Sequence, residues 1–524
     1  MEWITMVKSC VELHSIAVQL VLVLIALALL LWKPFYGYHG GRTSAWPPGP
    51  PAWPIVGHLH LLGQLPHQSL CKLSKTYGPL LGLRLGAVPT IVASSPQMAK
   101  EIMQTHDLVF ANRPHSVAAV RNMYFGNMGF APYGPLWKRM RLLCATELFN
   151  GKRLASMRHV REEEARGLAR TVMATATAVP QQQVELRPGL FAAAMNIISR
   201  MAMGKKVGEV SGVSAECDLE RLTEEMLFLL GVFYVGDFVP WLWWLDPHRY
   251  LKRMKAAGRE AKALVQQAIN QRRQQPSSTS PHDFLDVLLA AAADPNHDVP
   301  LTDNNISSLI LDLFTGASDT SSSTVEWALA DLINNPQAMH KLQEELDSIV
   351  GKDRLVTEND IENLPYLGLV LKESMRLHPV VPLLLPYESI KECSIGPYKI
   401  PAKTRAYVNT WAIGRDPLVW EMPLDFWPER FDCRNLGAQG QSFELLPFGA
   451  GRRRCPGSAL AILNIHLLLA TLVQGFSWSL ASPSSPSFGS NAQFLDMSEK
   501  FGTTISMENC LCAFATPRLD LHIY

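Results

Sequence analysis

Ten residues near the C-terminus, FGAGRRRCPG from Phe448 to Gly457, constrain this chain more than any other segment. The pattern is F-x-x-G-x-R-x-C-x-G, whose glycines let the backbone turn tightly and approach a flat cofactor. Arg453 can bond to a carboxylate of such a cofactor. Cys455 precedes an apolar run, Ser458 to Leu472, which predicts a helix whose first N–H groups favour the thiolate. The segment therefore predicts a metal-binding loop, and a buried structural cysteine is the alternative.

This segment resembles the haem loop of the cytochrome P-450 superfamily, and it is most similar to the plant microsomal branch. The resemblance extends from Pro47 to about Pro517. It implies a cytochrome P-450 fold with haem b (iron protoporphyrin IX) as the cofactor. It also implies that Cys455 is the axial ligand of the iron, with Phe448 and Arg453 as further cofactor-binding residues. A thiolate in that position favours cleavage of the oxygen–oxygen bond of O2.

Composition sets the limits of the fold and of its partners. The chain has 524 residues, a formal net charge of +1 and 48% hydrophobic residues. No long linker follows residue 60, so we expect one large domain whose core can enclose a planar cofactor. The near-neutral charge gives no reason to expect nucleic-acid binding. The nine cysteines show neither a zinc spacing nor a disulfide framework, which favours a reducing, cytosol-facing environment.

The N-terminal segment predicts a membrane anchor. From Ile16 to Trp32 the chain reads IAVQLVLVLIALALLLW, about 17 residues, the lower limit for spanning a bilayer. Lys33 and Arg42 follow it, which predicts that the C-terminal side lies in the cytosol. A cleaved signal peptide is the alternative, although no small-residue cleavage site follows.

A proline-rich stretch, WPPGPP from Trp46 to Pro51, follows the predicted anchor. Such a stretch favours an extended, stiff spacer, and a ligand for another protein is the alternative. We therefore expect a membrane anchor (1–33), a Pro-rich hinge (34–53) and a haem-thiolate catalytic domain (54–524). With the resemblance, this predicts a single-pass protein of the endoplasmic reticulum membrane whose catalytic domain faces the cytosol.

The rest of the pattern predicts a mainly α fold with a smaller β portion built from distant parts of the chain. A hairpin is expected from Leu81–Leu85 and Thr90–Ala93, and further strands at Ala406–Asn409 and Arg518–Ile523. Helical spacing recurs in four segments: Arg153–Ala174, Glu220–Leu230, Tyr250–Arg273 and Gln337–Val350.

The longest helical pattern runs from 302 to 334, between a threonine that suits an N-cap and an Asn-Asn-Pro stop. Its middle, TGASDTSSST from Thr315 to Thr324, is rich in residues that weaken a helix and compete for its backbone bonds. The resemblance implies a local opening here that holds oxygen and water over the iron. It also implies that Asp319 and Thr320 are a catalytic acid–alcohol pair that relays protons. An ordinary polar stripe facing a buried water is the alternative.

Three further charged residues, Glu373, Arg376 and Arg430, form one buried ion network according to the resemblance. Glu373 and Arg376 are three apart and share one helix face. Removing one partner from a buried network leaves a charge unpaired. We therefore expect these residues to be structural and not catalytic.

Trp137 and Arg141 lie four apart on one predicted helix, and the resemblance implies that both reach a haem propionate. A surface helix with one packed tryptophan is the alternative. The chain departs from the usual family pattern at three places: Gly316-Ala317 stands where Ala-Gly is usual, Tyr387 stands for a propionate-binding arginine, and Arg454 for a small apolar residue.

The chain has neither a G-x-G-x-x-G nor a G-x-x-x-x-G-K loop, so its electrons must come from a separate flavoprotein. The resemblance implies NADPH-cytochrome P-450 reductase, with cytochrome b5 as a further partner. The expected reaction inserts one oxygen atom from O2 into a small apolar plant metabolite.

The substrate is harder to predict. Thr315–Ala330 most resembles the flavonoid 3'-hydroxylase group, which favours a flavonoid or another phenolic. Phe314 and the run Val380–Leu385 are expected to line its pocket. Three alternatives stay open. They are a terpenoid or alkaloid oxidase of the same family, a rearranging enzyme for peroxides (against which Thr320 argues), and a non-catalytic haem carrier or sensor.

Overall fold

The computed structural model describes residues 18–19, 22–23, 46–114, 116, 127–178, 183–206, 208–209, 215–274, 283–295, 298–432, 434, 436–437, 442–480 and 494–524. The predicted anchor, 1–33, lies outside the described residues apart from positions 18–19 and 22–23. Among the described helices, Ser458–Gly475 has the length and apolar composition of a membrane span. Because 72% of that helix is buried within the protein, it belongs to the core.

Helices dominate the described part of the chain, as predicted. In chain order they are α1 (Pro66–Tyr77), α2 (Pro96–Lys100), α3 (Pro135–Leu143), α4 (Gly151–Ser156), α5 (Arg158–Ala178), α6 (Arg187–Met203), α7 (Ala215–Gly231), α8 (Val235–Phe238), α9 (Tyr250–Gln274), α10 (Phe284–Ala293), α11 (Asp303–Asn334), α12 (Pro336–Ile349), α13 (Pro365–Leu377), α14 (Thr410–Ile413) and α15 (Ser458–Gly475). Three of the four shorter helical segments predicted from spacing are confirmed as single helices, although the one predicted from Glu220 begins five residues earlier, at Ala215. The segment predicted from Arg153 to Ala174 is helical but is divided at Met157 into α4 and α5.

The strands form four small sheets in the described part of the chain. They are β1 (Leu80–Leu85), β2 (Val88–Ala93), β3 (Val184–Glu185), β4 (Tyr387–Glu388), β5 (Cys393–Ile395), β6 (Tyr398–Ile400), β7 (Arg405–Val408), β8 (Phe476–Ser479), β9 (Glu499–Lys500), β10 (Ser506–Met507) and β11 (Cys512–Pro517). The largest sheet has the order β1-β2-β7-β4, with β2 and β7 parallel and its other pairs antiparallel. The predicted hairpin is confirmed as β1–β2.

The C-terminal strand prediction was wrong. The strand is Cys512–Pro517, and Leu521–Ile523, inside the predicted strand, is a short 3-10 helix. β11 pairs with β3 and β8 and ends at Pro517, because proline has no N–H with which to continue a ladder. Arg518 N–H instead donates to the Gly475 carbonyl at 2.8 Å.

The long helix α11 crosses the centre of the fold and packs against α6, α15 and α13. Thr302 is its N-cap as predicted, and the side chains of Thr302 and Asn305 each accept a hydrogen bond from the other's backbone N–H. Its second half is almost entirely buried, including Trp327. This packing gives the polar cluster in the middle of α11 a fixed position inside the protein.

The Pro-rich segment packs against β1 and the residues near it where it is described. Gly82 N–H of β1 donates to the Pro48 carbonyl at 2.8 Å, and a His58 ring nitrogen lies 2.8 Å from the Pro50 carbonyl. A Cβ at Gly49 would lie 1.9 Å from the Gly82 carbonyl oxygen. Residues 46–53 therefore contribute to the surface of the domain, at the edge strand of its largest sheet.

Candidate active site

One cavity brings together six of the residues predicted to bind the cofactor or take part in catalysis. On its wall lie Trp137, Arg141, Thr320, Phe448, Arg453 and Cys455. Asp319, the other predicted catalytic residue, lies behind this wall. Glu373, Arg376 and Arg430 do not line the cavity, as expected for structural residues.

The loop before α15 is shaped to present Cys455. Gly449 and Gly451 have φ values of 65° and 69°, which a residue with a Cβ adopts only at a cost. A Cβ at Gly451 would also lie 2.2 Å from the Met103 carbonyl oxygen. Cys455 N–H donates to the Phe448 carbonyl at 3.0 Å and closes the turn. The loop is therefore rigid before any cofactor enters it.

Burial and the neighbouring cations act in opposite directions on the pKa of Cys455. Burial raises the pKa of the Cys455 thiol, while the Gly457 backbone N–H and the guanidinium groups of Arg141 and Arg454 lower it. Arg454 also donates to the Ser458 hydroxyl at 3.0 Å. The unusual arginine before the cysteine therefore favours the thiolate, which is the form that ligates a metal.

Arg453 is a buried cation that has no acidic partner among the described residues. Its Nε and Nη2 donate to the carbonyls of Ala111 and Ala131, both at 2.6 Å, and its guanidinium lies 4.4 Å from the Trp137 ring centre. Burial lowers the pKa of Arg453 to about 9. The group is held in place by neutral contacts alone, so its charge is not neutralised by the described part of the protein.

Arg113 is a second such cation, which the sequence analysis missed. Its Nη1 donates to the carbonyls of Leu385 and Pro386 at 2.8 and 2.9 Å, and its guanidinium lies 4.7 Å from the Tyr387 ring centre. Burial lowers the pKa of Arg113 as well. The charge that Tyr387 lacks is therefore supplied from another segment. No local signal identified Arg113, because its neighbours on this wall are distant in sequence.

These groups suit haem b. A buried thiol at a helix start matches a thiolate ligand of haem iron. Arg113, Arg141 and Arg453 form no ion pair with any described residue, yet all three line the cavity. Buried charges are normally paired, so the cavity calls for an anionic guest. The two propionates of haem fit that requirement.

The polar middle of α11 faces the same cavity. Thr320 donates its hydroxyl to the Gly316 carbonyl at 2.7 Å, and Thr324 donates to the Thr320 carbonyl at 2.7 Å. The helix is continuous from Asp303 to Asn334, so the local opening that the resemblance implies does not interrupt it. A Cβ at Gly316 would meet no atom within 4 Å. The space beside α11 at position 316 is therefore open, although this chain has Gly316-Ala317 where the family usually has Ala-Gly.

Asp319 does not bond to Thr320. Its Oδ2 accepts the hydroxyl of Thr504, which lines the cavity, at 2.5 Å. Burial raises the pKa of Asp319, while the Thr504 hydroxyl, Arg187 and Lys500 lower it. Thr504 was missed because it follows Asp319 by 185 positions, without a motif of its own.

Asp312 is another acidic residue that sequence reasoning missed. It lines the cavity two turns before Thr320, and it accepts the Asn127 side chain at 2.9 Å and the N–H groups of Met128 and Gly129 at 2.7 and 3.2 Å. Burial raises the pKa of Asp312 to about 7. Helical spacing from Thr320 was the signal that could have found it.

The predicted pocket residues are partly confirmed. Val380, Val381, Leu384 and Leu385 line the cavity. The prediction for Phe314 was wrong, since this buried residue is not among those that line the cavity, although its neighbours Leu313 and Thr315 are. Successive helical residues point about 100° apart, so the neighbours of Phe314 on α11 line the cavity in its place.

The predicted ion network has the expected geometry. Arg376 donates through Nε and Nη2 to both carboxylate oxygens of Glu373, at 2.7 and 2.8 Å. Arg430 Nε donates to the same carboxylate at 2.9 Å, as does the backbone N–H of Trp427 at 2.8 Å. The Glu373 side chain is fully buried, so its charge is balanced entirely within the protein.

Comparisons with known proteins agree on one family. The cytochrome P-450 family profile matches residues 47–502. A flavonoid 3'-monooxygenase of Crocosmia x crocosmiiflora is 42% identical over 498 residues, which cover 93% of this chain and 96% of that protein. A 3,9-dihydroxypterocarpan 6A-monooxygenase of Glycine max is 39% identical over 488 residues, covering 90% and 93%. A zebra fish cytochrome P-450 solved with progesterone matches with a TM-score of 0.72 at 28% identity, covering 86% of this chain and 99% of that one.

Proposed function

This chain belongs to the cytochrome P-450 family, and we propose that it hydroxylates a small, flat phenolic molecule of the flavonoid type. It is an O2-dependent haem-thiolate monooxygenase that takes electrons from a separate reductase. The observation that carries the proposal is one cavity whose wall holds the thiol of Cys455, the hydroxyl of Thr320 and three arginines without an ion-pair partner among the described residues.

The substrate end of the cavity is apolar. Asp312 is its acidic group, and both carboxylate oxygens of Asp312 already accept hydrogen bonds. The lining therefore favours a neutral guest held by burial, worth roughly 25 cal/mol per Å² of apolar surface. The flavonoid and pterocarpan relatives support a flat aromatic guest. Its apolar lining includes Phe130, Leu227, Leu230, Leu313, Val380 and Leu385.

Each part of the site then has a role. Haem, when bound, supplies the activation of O2. In the proposed mechanism Cys455 ligates the iron, and Arg453, Arg141 and Trp137 bind and orient the propionates. The apolar lining excludes water, while Asp319 and Thr320 hold and move protons on the substrate side.

We also propose that the protein is anchored in the endoplasmic reticulum membrane by 1–33, through the hinge 34–53, with the catalytic domain 54–524 in the cytosol. Cytochrome b5 is a second electron donor in this proposal. Trp241, Trp243 and Trp244 are 61–66% exposed, and Trp53 is 62% exposed. Indole rings prefer the bilayer interface, so this surface supports membrane contact.

The tryptophans belong to one corner of the domain. Ala87 N–H in the β1–β2 turn donates to the Phe238 carbonyl at 2.7 Å, just before the exposed tryptophans. Gly57, close to Trp53, forms a β-bridge with Leu85 beside the same turn. Deleting 1–33 should therefore release only part of the protein from membranes. Complete release of the truncated protein from membranes would contradict the proposal, and so would removal of the full-length protein from membranes by a carbonate wash.

Substrate titration tests the proposed activity. A flavanone such as naringenin, added to the ferric protein, should give a water-displacing spectral shift. With reductase and NADPH it should give a ring-hydroxylated product. A diterpene of similar size is the control and should give neither. A shift and turnover with the diterpene alone would overturn the phenolic substrate while leaving the monooxygenase activity intact.

A further inference from the structure

The predicted acid and alcohol of α11 have different partners. The Thr320 hydroxyl is bonded to Gly316 within the helix, whereas the Asp319 carboxylate is bonded to Thr504 from the C-terminal segment. Asp319 is behind the cavity wall and Thr504 is part of it. The Thr504 side chain therefore connects the buried acid to the cavity.

Thr504 is held firmly in this position. The next residue, Ile505, donates its N–H to the Val380 carbonyl at 2.8 Å. The Ile505 carbonyl accepts the Trp327 indole N–H at 3.1 Å. These bonds tie the segment to α11 on one side and to the cavity wall on the other. Thr504 itself is only 9% exposed, and its oxygen is held 2.5 Å from Asp319 Oδ2.

We propose that Thr504 is a positioning and relay residue that passes a proton from Asp319 into the cavity. The proposal rests on the monooxygenase function and on Asp319 being its acid. In the structure the Thr504 hydroxyl donates to the Asp319 carboxylate. In the relay, Asp319 is protonated and the Thr504 hydroxyl turns toward a cavity water. The Asp319 carboxyl then gives its proton to the Thr504 oxygen, the Thr504 hydroxyl gives its own proton to that water, and the water passes a proton on to the oxygen that is being reduced. The Thr504 hydroxyl is regenerated, and the Asp319 carboxylate takes a proton from solvent.

The surroundings of Asp319 allow this exchange. Arg187 and Lys500 favour its ionised form, and Glu224 opposes it. Arg187 is itself paired with Glu326 at 2.9 Å, so it does not hold Asp319 in an ion pair. Burial raises the pKa of Glu220, and the negative charges of Glu224 and Asp319 raise it further. Because Glu224 and Lys500 are exposed, solvent lies close to the acid.

Titration of Asp319 in the resting protein is the first test. The carboxyl stretch in the infrared spectrum is assigned by its loss in Asp319→Asn. Thr504→Val removes a bond that stabilises the carboxylate, so the pKa of Asp319 should rise, and Thr504→Ser should restore it. Thr503→Val is the matched control, since the Thr503 hydroxyl is bonded to no described residue. The pKa of Asp319 should be unchanged in that control, and an unchanged pKa in Thr504→Val would overturn the proposal.

Coupling of NADPH oxidation to product is the second test. Thr504→Val should lower product per NADPH by about tenfold, with the balance appearing as hydrogen peroxide, and Thr504→Ser should recover most of it. If Asp319→Asn uncouples the enzyme and Thr504→Val does not, the relay through Thr504 is wrong and the proposed function stands. If neither uncouples it, Asp319 is not the acid. If the wild type forms no product at all, the proposed function fails first.

Discussion

Two groups of buried arginines in this protein have opposite kinds of partner. Arg376 and Arg430 share the carboxylate of Glu373 at 2.7–2.9 Å. Arg113 and Arg453 bond to backbone carbonyls and lie over aromatic rings, and no described acidic side chain pairs with either. The first group shares a carboxylate of the protein, whereas the second group has no carboxylate partner among the described residues.

The difference separates structure from function. A buried charge is costly unless it is paired or well hydrogen-bonded, and a cation on a cavity wall can pair with an anion that enters the cavity. Burial lowers the pKa of Arg453 to about 9, because the charged guanidinium is less favourable inside the protein than in water. In the ion network the protein supplies the anion, so the network stabilises the fold by itself. In the cavity, we propose that the propionates of haem supply it and that the arginines there serve cofactor binding.

The largest expected effect is at the complete network. Glu373→Gln removes the carboxylate that two buried arginines share, and should cost about 3–5 kcal/mol of the free energy of unfolding. Urea unfolding with and without haem measures it, and both forms should be destabilised. Glu163→Gln is the control, because Glu163 pairs with Arg200 but its side chain is 55% exposed. Equal, small losses in both variants would show that the network is not structural.

The cavity arginine should behave in the reverse manner. Arg453→Met removes a cation from the wall of the cavity and should weaken haem binding roughly tenfold or more. The haem-free protein should lose less stability than in Glu373→Gln, because the loss of two bonds to the Ala111 and Ala131 carbonyls is offset by the removal of a buried cation. Haem titration of the apoprotein and its thermal melting measure the two quantities. If Arg453→Met destabilised the apoprotein as much as Glu373→Gln does, the distinction between the two groups of arginines would be wrong.

The smallest effect concerns the chain's departure from its family. A hydrogen bond to Arg113 is among the influences on the Tyr387 hydroxyl. Tyr387→Phe should therefore weaken haem binding by only about 0.5–1.5 kcal/mol, since the cation remains. Arg113→Met should cost clearly more in the same haem titration. If Tyr387→Phe proved the more damaging of the two, the view that Arg113 replaces the missing arginine would be wrong.

The sequence predicted those parts of the site that depend on short spacings. The glycines and Cys455 lie within one loop, and the cap and stop of α11 lie at its own ends. Arg113 and Thr504 could not be predicted, because their roles come from contacts with residues far away in the chain. Phe314 was misplaced because the phase of a buried helix depends on what packs around it.

The central claim is that Cys455 and the unpaired cations of its cavity form a haem-thiolate site. The absorption spectrum of the reduced carbon-monoxide complex tests it most directly. The wild type should show the thiolate-type band, and Cys455→Ser should lose that band while its near-ultraviolet circular dichroism shows a folded protein. Cys393→Ser, at a partly buried cysteine outside the cavity, should keep the band. A folded Cys455→Ser protein that keeps the thiolate band would contradict the account.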